Sequence, residues 1–378
     1  MPGIYIHIPF CTQFCVYCSF YSVTELHMRN NFVSALKAEM KERKDYFKDI
    51  DTGSSPATIY IGGGTPSVLT ERQLAEIIET AYSEFGLSDV SEFTMEVNPD
   101  DITVEYGKFL RSLGINRISM GEQSFMDSHL KMMNRRHSAS EGIEAFTALR
   151  KAGFDNISLD LIFGFSGLGK EEWIYNLNKA AELSPEHISA YQMSIEPGSI
   201  LYDLAGKGNY SRPEEETCAE EYEILQNIMQ EKGYTQYEVS NFARPGFESQ
   251  HNSSYWNFIP YIGLGPSAHS YKRTCSISER RWNLPSLSKY CSYYLHKHKG
   301  SEKISSGEIL TAHDEENEKF MLGLRQIKGL PISEIKGYPA EEIEEEKRSG
   351  NLIEQNGYLK IPSEKMFISD NIIRNLFK

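Results

Sequence analysis

Six times between residues 4 and 232 a short apolar run gives way to a stretch of helical periodicity, and this alternation limits the fold more than any other feature of the chain. The apolar runs fall at 4–8, 57–61, 92–97, 115–120, 156–163 and 187–193. Helical patterns follow at 28–46, 71–85, 103–113, 139–152, 171–183 and 214–232. The second helix is marked at both ends, by capping-box spacing at Thr70 and Gln73 and by Gly86 where a helix should stop. Strands alternating with helices imply a parallel sheet with right-handed crossovers, either curved into a barrel or open and doubly wound. The unusual residues choose between them. Cys11, Cys15 and Cys18 follow the first strand, Gly62-Gly63-Gly64 the second, Glu96 and Asn98 the third, and Gly121 and Gln123 the fourth; Asp160 lies toward the end of the fifth and Gln192 ends the sixth. Ligands bind at the C-terminal ends of parallel strands, and six contributors around one mouth favour an α/β fold with a partial (β/α)6 barrel.

Texture divides the 378 residues further. Residues 1–245 read as the barrel. Residues 246–305 read as a connecting segment, dense in Gly, Pro, Ser and aromatics up to about 275, and residues 306–378 as a small helical, winged-helix-like domain with a two-strand wing around Gly357. A wing invites the thought of DNA, but five glutamates between Glu341 and Glu346 argue against it. So does the overall balance of 39 Lys and Arg against 53 Asp and Glu, a formal charge of −14 that repels phosphate backbones. The start, MPGIYIHIPFC, lacks a basic leader, and no apolar run approaches membrane-spanning length, so a cytoplasmic location is expected.

A reducing compartment keeps thiols free, which directs attention to the cysteines. Cys218, Cys275 and Cys291 are scattered and read as ordinary thiols, whereas Cys11-x3-Cys15-x2-Cys18 could grip one soft metal centre. A structural zinc site wants four closed ligands, and no second pair with suitable spacing exists downstream. A cubane iron–sulfur cluster held by three cysteines keeps one iron open.

With Tyr17 just before the third cysteine and GGGTP at 62–66 after the second strand, the chain resembles the radical S-adenosylmethionine (SAM) family. In that family a three-cysteine 4Fe-4S cluster binds SAM at its open iron and cleaves it to methionine and a 5′-deoxyadenosyl radical. A narrower resemblance runs through IYIHIPFC, MEVNPD, NRISMGEQSF, DLIFGF, ISAYQMSIEPG, YEVSNFA, HNSSYW and GLGPSAHS. It points to the HemN/HemW branch, which holds oxygen-independent coproporphyrinogen III oxidase and a haem chaperone. The oxidase carries a further cysteine where this chain has Phe20, so the resemblance implies a haem chaperone, with oxidative decarboxylation of coproporphyrinogen III as the alternative.

The resemblance also implies roles. Cys11, Cys15 and Cys18 would hold the 4Fe-4S cluster. Tyr5, Tyr17, Gly63, Gly64, Thr65 and Glu96 would contact SAM, with Glu96 accepting from its ribose hydroxyls, and Gln123, Arg135 and Asp160 match contacts to a second SAM. An ion pair between Arg135 and Asp160 is the competing account. Two departures bear on that second site: Gly164-Phe165-Ser166-Gly167-Leu168-Gly169 stands where relatives tend to carry a proline and a Gln-Thr pair, and Glu122 replaces a small apolar residue. His251, in HNSSYW, is the implied axial ligand of haem, with Tyr255 and Trp256 covering the porphyrin face; His269 is a further candidate. Implied partners are haem or porphyrin, client haem proteins, an electron donor and, through clients, peripheral contact with a membrane, with no nucleic acid.

Overall fold

The computed structural model describes residues 2–48, 50, 56–296, 303–335 and 340–377. Six parallel strands form its centre: β1 (Gly3–Ile8), β2 (Thr58–Gly63), β3 (Glu92–Val97), β4 (Arg117–Gln123), β5 (Ile157–Phe163) and β6 (His187–Gln192). Each pairs with the next, in the order of the chain. Between them run helices α1 (Arg29–Glu42), α2 (Glu71–Phe85), α3 (Val104–Ser112), α4 (Asp127–Met132), α5 (Ala139–Lys151) and α6 (Lys170–Leu183). After β6 come α7 (Ile200–Gly206) and α8 (Glu215–Glu231). The helices bury one apolar stripe against the strands; in α2 the stripe is Leu74, Ile77, Ile78, Ala81 and Phe85, ended by Gly86 in the left-handed conformation. Thr70 and Gln73 make both bonds of the expected capping box.

The sheet does not close. β8 (Asn241–Ala243) pairs antiparallel with β6 and carries β7 (Thr235–Gln236) outside it. At the other side β1 is flanked by β9 (Tyr261–Leu264), in parallel, then by antiparallel β10 (His269–Arg273), β11 (Ser278–Asn283) and β12 (Ser305–Leu310), a twelve-stranded sheet in all among the described residues. The stretch that reads as loops up to about residue 275 therefore supplies α9 (Gln250–Trp256), β9 and β10. Its strands are short, and β9 carries a glycine where two backbones come close. A Cβ on Gly263 would sit 1.9 Å from the His269 carbonyl oxygen.

A buried ion-pair network fastens this added sheet to the barrel. Glu39 on α1 is fully buried and accepts from Arg43 Nη1 at 3.0 Å, Tyr290 Oη at 2.6 Å, Asn283 Nδ2 at 2.8 Å and the Gly265 amide at 2.8 Å. Arg43 also donates to the Gly263 carbonyl at 2.7 Å and to Ser270 Oγ at 2.9 Å. Tyr290 lies on α10 (Leu287–Leu295), which packs against α1. The end of α1 thus meets residues 265 to 290, more than 200 positions later in the chain, on one carboxylate.

The C-terminal residues form α11 (Ala312–Leu324), β13 (Leu330–Pro331), α12 (Ala340–Arg348), β14 (Ile353–Gln355), β15 (Tyr358–Lys360) and α13 (Ser369–Asn375). The expected wing is the β14–β15 hairpin, turning at Asn356 and Gly357 with φ of 53° and 81°, and β13 adds a third strand. No helix among the described residues is long and apolar enough to cross a membrane.

Candidate functional site

A cavity of about 500 Å³ opens at the C-terminal ends of the parallel strands and runs down into the barrel. The cysteine loop forms its rim. Phe10 is buried under the loop, and the Cys11 amide donates to the Val23 carbonyl at 2.9 Å while the Val23 amide returns to Pro9 at 2.7 Å. Cys11, Cys15 and Cys18 are all partly exposed to this cavity. Thr65 Oγ1 donates to Cys11 Sγ at 3.5 Å, and Arg135 Nη1 to Cys15 Sγ at 3.4 Å. Desolvation raises the Cys11 thiol and pushes Cys18 up to about 11. Three cysteine sulfurs around one mouth, two of them accepting hydrogen bonds, suit a soft-metal centre. No three His, Cys, Asp or Glu among the described residues gather around a single metal ion.

The glycine run packs tightly behind the loop. A Cβ on Gly64 would lie 2.6 Å from the Phe10 carbonyl oxygen, so only glycine fits. Its amides are committed: Gly63 donates to Glu96 Oε2 at 3.0 Å, Gly64 to Ile8 at 2.8 Å and Thr65 to Phe10 at 2.7 Å. What this run can still offer a ligand is carbonyl oxygen, an acceptor suited to an ammonium. Glu96 also accepts from Tyr60 Oη at 2.8 Å, and burial pushes its carboxyl up to about 7 despite both donors.

On the far side, a bulge shifts the β4–β5 register between Met120 and Gln123, and Gln123 takes φ of 67°. Gln123, Arg135, Asp160 and Tyr17 all line the cavity. Arg135 and Asp160 are held separately. Arg135 Nη2 donates to Asn98 Oδ1 and to the Gly121 carbonyl, each at 2.8 Å, whereas Asp160 accepts from Ser119 at 3.1 Å and from Ser158 at 3.4 Å.

Two expected site residues lie elsewhere. Tyr5 does not line the cavity; its hydroxyl bonds to His7 Nδ1 at 3.0 Å, because the strand parity that buries Ile4 and Ile6 turns Tyr5 toward His7 and Tyr60. His251 does not line the cavity either. It is 1% exposed on α9, with Nδ1 bonded to Thr58 Oγ1 at 2.8 Å and Nε2 to Tyr255 Oη at 2.7 Å. Burial drives its pKa down to about 3, so the ring is neutral with both nitrogens engaged. Glu92 accepts from the Gln250 and His251 amides, each at 2.8 Å, which clamps α9 beneath the starts of β2 and β3. The end of the barrel opposite the cysteines is thereby closed. Trp256 packs under the Arg325 guanidinium, 5.7 Å from its ring centre.

Arg117 escaped sequence reasoning. It is 1% exposed at the start of β4, and it lines the cavity with Ser119, Gly121 and Gln123, residues of the same strand parity. A charged residue within an otherwise apolar alternation was the available signal. Asn252 lines the cavity from α9, a helix hidden in a stretch read as loop.

Glu122, on the outer face of the bulge, has neither oxygen bonded and lies against Gly142, where any side chain would collide with it. Burial raises its carboxyl to about 8, above the unfolded value near 4.3, so the folded state holds an extra proton between those pH values. Stability should fall as pH rises through this window. Melting curves from pH 5 to pH 9 should therefore show a steep loss in the wild type and a clearly shallower one in Glu122→Gln, with the two curves differing most at the alkaline end.

Residues 5–180 match the model of the Radical SAM superfamily. Over 338 residues the chain is 38% identical to the protein named Heme chaperone HemW of Bacillus subtilis (strain 168), covering 87% of this chain and 85% of that one. The chain belongs to the HemW family. A second HemW, of Lactococcus lactis subsp. lactis (strain IL1403), is 34% identical over 331 residues, with 88% and 83% covered. The solved structure of coproporphyrinogen III oxidase (HemN) from Escherichia coli superimposes with a TM-score of 0.81 over 99% of this HemW-family chain and 90% of HemN. At 21% identity that likeness establishes the shared radical SAM fold.

Proposed function

We propose that this protein is a radical SAM haem chaperone: it carries a 4Fe-4S cluster on Cys11, Cys15 and Cys18, binds SAM beside it, and holds haem for delivery to client haem proteins. The observation that carries the reading is the convergence of three cysteines, the glycine run, Glu96 and Arg135 on one cavity in a chain matched over most of its length by HemW proteins. When bound, the cluster supplies one electron to the sulfonium of SAM. The protein's own contributions are positional. Arg135 sets a positive charge against Cys15, which favours the reduced, more negative centre. Carbonyls of the glycine run take the amino group of SAM, and Glu96 takes the ribose hydroxyls, exchanging one of its present donors. Tyr17 packs beside the adenine. Gln123, Arg135 and Asp160 remain for a second ligand in the barrel, where Arg117 adds a buried cation suited to a carboxylate.

Decarboxylation of coproporphyrinogen III is the weaker reading. It rests on the fold shared with HemN, and the position of the oxidase's further cysteine holds Phe20, which is 69% exposed at the cavity rim. One anaerobic experiment separates the two. Cluster-loaded protein with SAM and a one-electron donor should yield no protoporphyrinogen from coproporphyrinogen III, while the same preparation titrated with haem should develop a saturable Soret band. Porphyrinogen product without haem uptake would replace the first reading by the second.

A further inference from the structure

A buried cation inside the barrel lacks a bonded counter-ion. Along β4 the residues that face inward are Arg117, Ser119, Gly121 and Gln123, and they span about 20 Å at the rise of a strand. Gln123 stands at the mouth with the cysteine loop, so Arg117 marks the floor. It is 1% exposed, its side chain makes no hydrogen bond or ion pair among the described residues, and its Nε has no partner at all. A guanidinium keeps its charge in a protein, and an unpaired one held away from water is costly.

Strand register brings two more polar groups to the same level. Thr94 on β3 lies opposite Arg117, and Tyr60 on β2 lies opposite Thr94. Thr94 has the parity of Glu96 and so faces the interior; it is fully buried, and its hydroxyl also lacks a partner. Asp160 lies within the field of Arg117 but accepts its bonds from Ser119 and Ser158. The floor therefore offers a fork of N–H donors and a spare hydroxyl. Tyr191, Ile162 and Met193 line the same cavity and supply a surface for carbon.

A planar carboxylate matches the guanidinium fork through two parallel bonds, with the Thr94 hydroxyl free to donate to one of its oxygens. A phosphate or a dicarboxylate carries more charge than one cation balances, and Asp160 in the same cavity repels the excess. We infer that the barrel floor is a binding site for a small organic monocarboxylic acid, anchored on Arg117 and Thr94 with its carbon chain directed up the barrel toward the cysteine loop. The inference rests on the proposed function and deepens it, since it names the class of ligand that shares the barrel with SAM.

The test is titration calorimetry on the full-length, cluster-loaded protein, with each acid set against its amide: butyrate against butyramide, and benzoate against benzamide. At least one acid should bind roughly tenfold or more tightly than its amide, and Arg117→Met should abolish that preference. Losing an unpaired charge relieves the fold, so ligand-free Arg117→Met should melt no lower than the wild type. Arg117→Lys, a cation without the fork, should bind the acid with intermediate affinity. Saturating SAM should leave the affinity for the acid unchanged, and haem affinity should be equal in the wild type and Arg117→Met. Equal binding of acid and amide, wild-type acid binding in Arg117→Met, or a marked loss of stability in that variant would overturn the inference. So would displacement of the acid by SAM, or a parallel loss of haem affinity in Arg117→Met, since the carboxylate would then belong to SAM or to a haem propionate. A preparation that cleaves no SAM removes the radical SAM reading and this inference with it, whereas one that cleaves SAM and binds neither acid removes this inference alone.

Discussion

Replacing Cys15 with alanine should give a folded protein that retains less than about a tenth of the wild-type cluster and cleaves no detectable SAM. Two thiols remain at the mouth of the cavity, too few for a cubane that is usually held by four and here has only three. Arg135 is then left buried beside an empty position, with Asn98 and the Gly121 carbonyl as its remaining partners. The fold should persist, because Cys15 is only partly buried and packs in a loop outside the strands. Iron and sulfide analysis after anaerobic reconstitution reads the first effect, and 5′-deoxyadenosine release reads the second. Cys275→Ser, altering an exposed thiol outside the loop, is the matched control and should keep full cluster content. A Cys15→Ala protein with wild-type iron and sulfide would exclude the assignment of the three cysteines.

Glu39→Ala should have the largest effect on stability. The substitution leaves Arg43 buried without its carboxylate and strips the acceptor from Tyr290 and the Gly265 amide at once, while Asn283 keeps only its bond to the Gly265 carbonyl. Breaking a buried ion pair by removing one partner costs about 3–5 kcal/mol, and the orphaned neutral donors push toward the upper end. Chemical denaturation of the metal-free protein should show that loss, with β9 to β12 exchanging amide hydrogens faster than β2 to β5. Asn283→Ala removes one donor among four and should cost about 1 kcal/mol. A loss below about 1 kcal/mol in Glu39→Ala would mean that packing of α10 on α1, and not this network, fastens the added sheet.

The six βα units were legible because each carries a period that water enforces: alternate or continuous apolar residues in strands, every third or fourth in helices. The cysteine loop was legible because its spacing has few other uses. Strands β9 and β10 were not, since strands of four and five residues, the first interrupted by Gly263, resemble loops until the partner of β9, the distant β1, is known. The same blindness explains His251. Its neighbours in sequence suggest an open aromatic motif, whereas its bonded partner Thr58 lies 193 residues away and closes the ring into the barrel floor. Arg117 shows the converse, a strand residue whose charge marks the barrel interior only once the curvature of the sheet is known. Positions governed by local backbone, such as Gly64, stand where their spacing suggests, whereas the placement of His251 depends on a tertiary contact that no local pattern carries.

Haem transfer tests the central claim most directly. Haem-loaded, cluster-containing protein should be mixed with an apo-haem protein whose holo spectrum is distinct, with free haem at the same concentration and albumin-bound haem as references. The acceptor spectrum should develop in proportion to the haem carried, with the donor's Soret band falling in step and an unrelated albumin carrier delivering more slowly. Retention of haem by this protein in the presence of excess acceptor, or transfer no faster than from albumin, would contradict it.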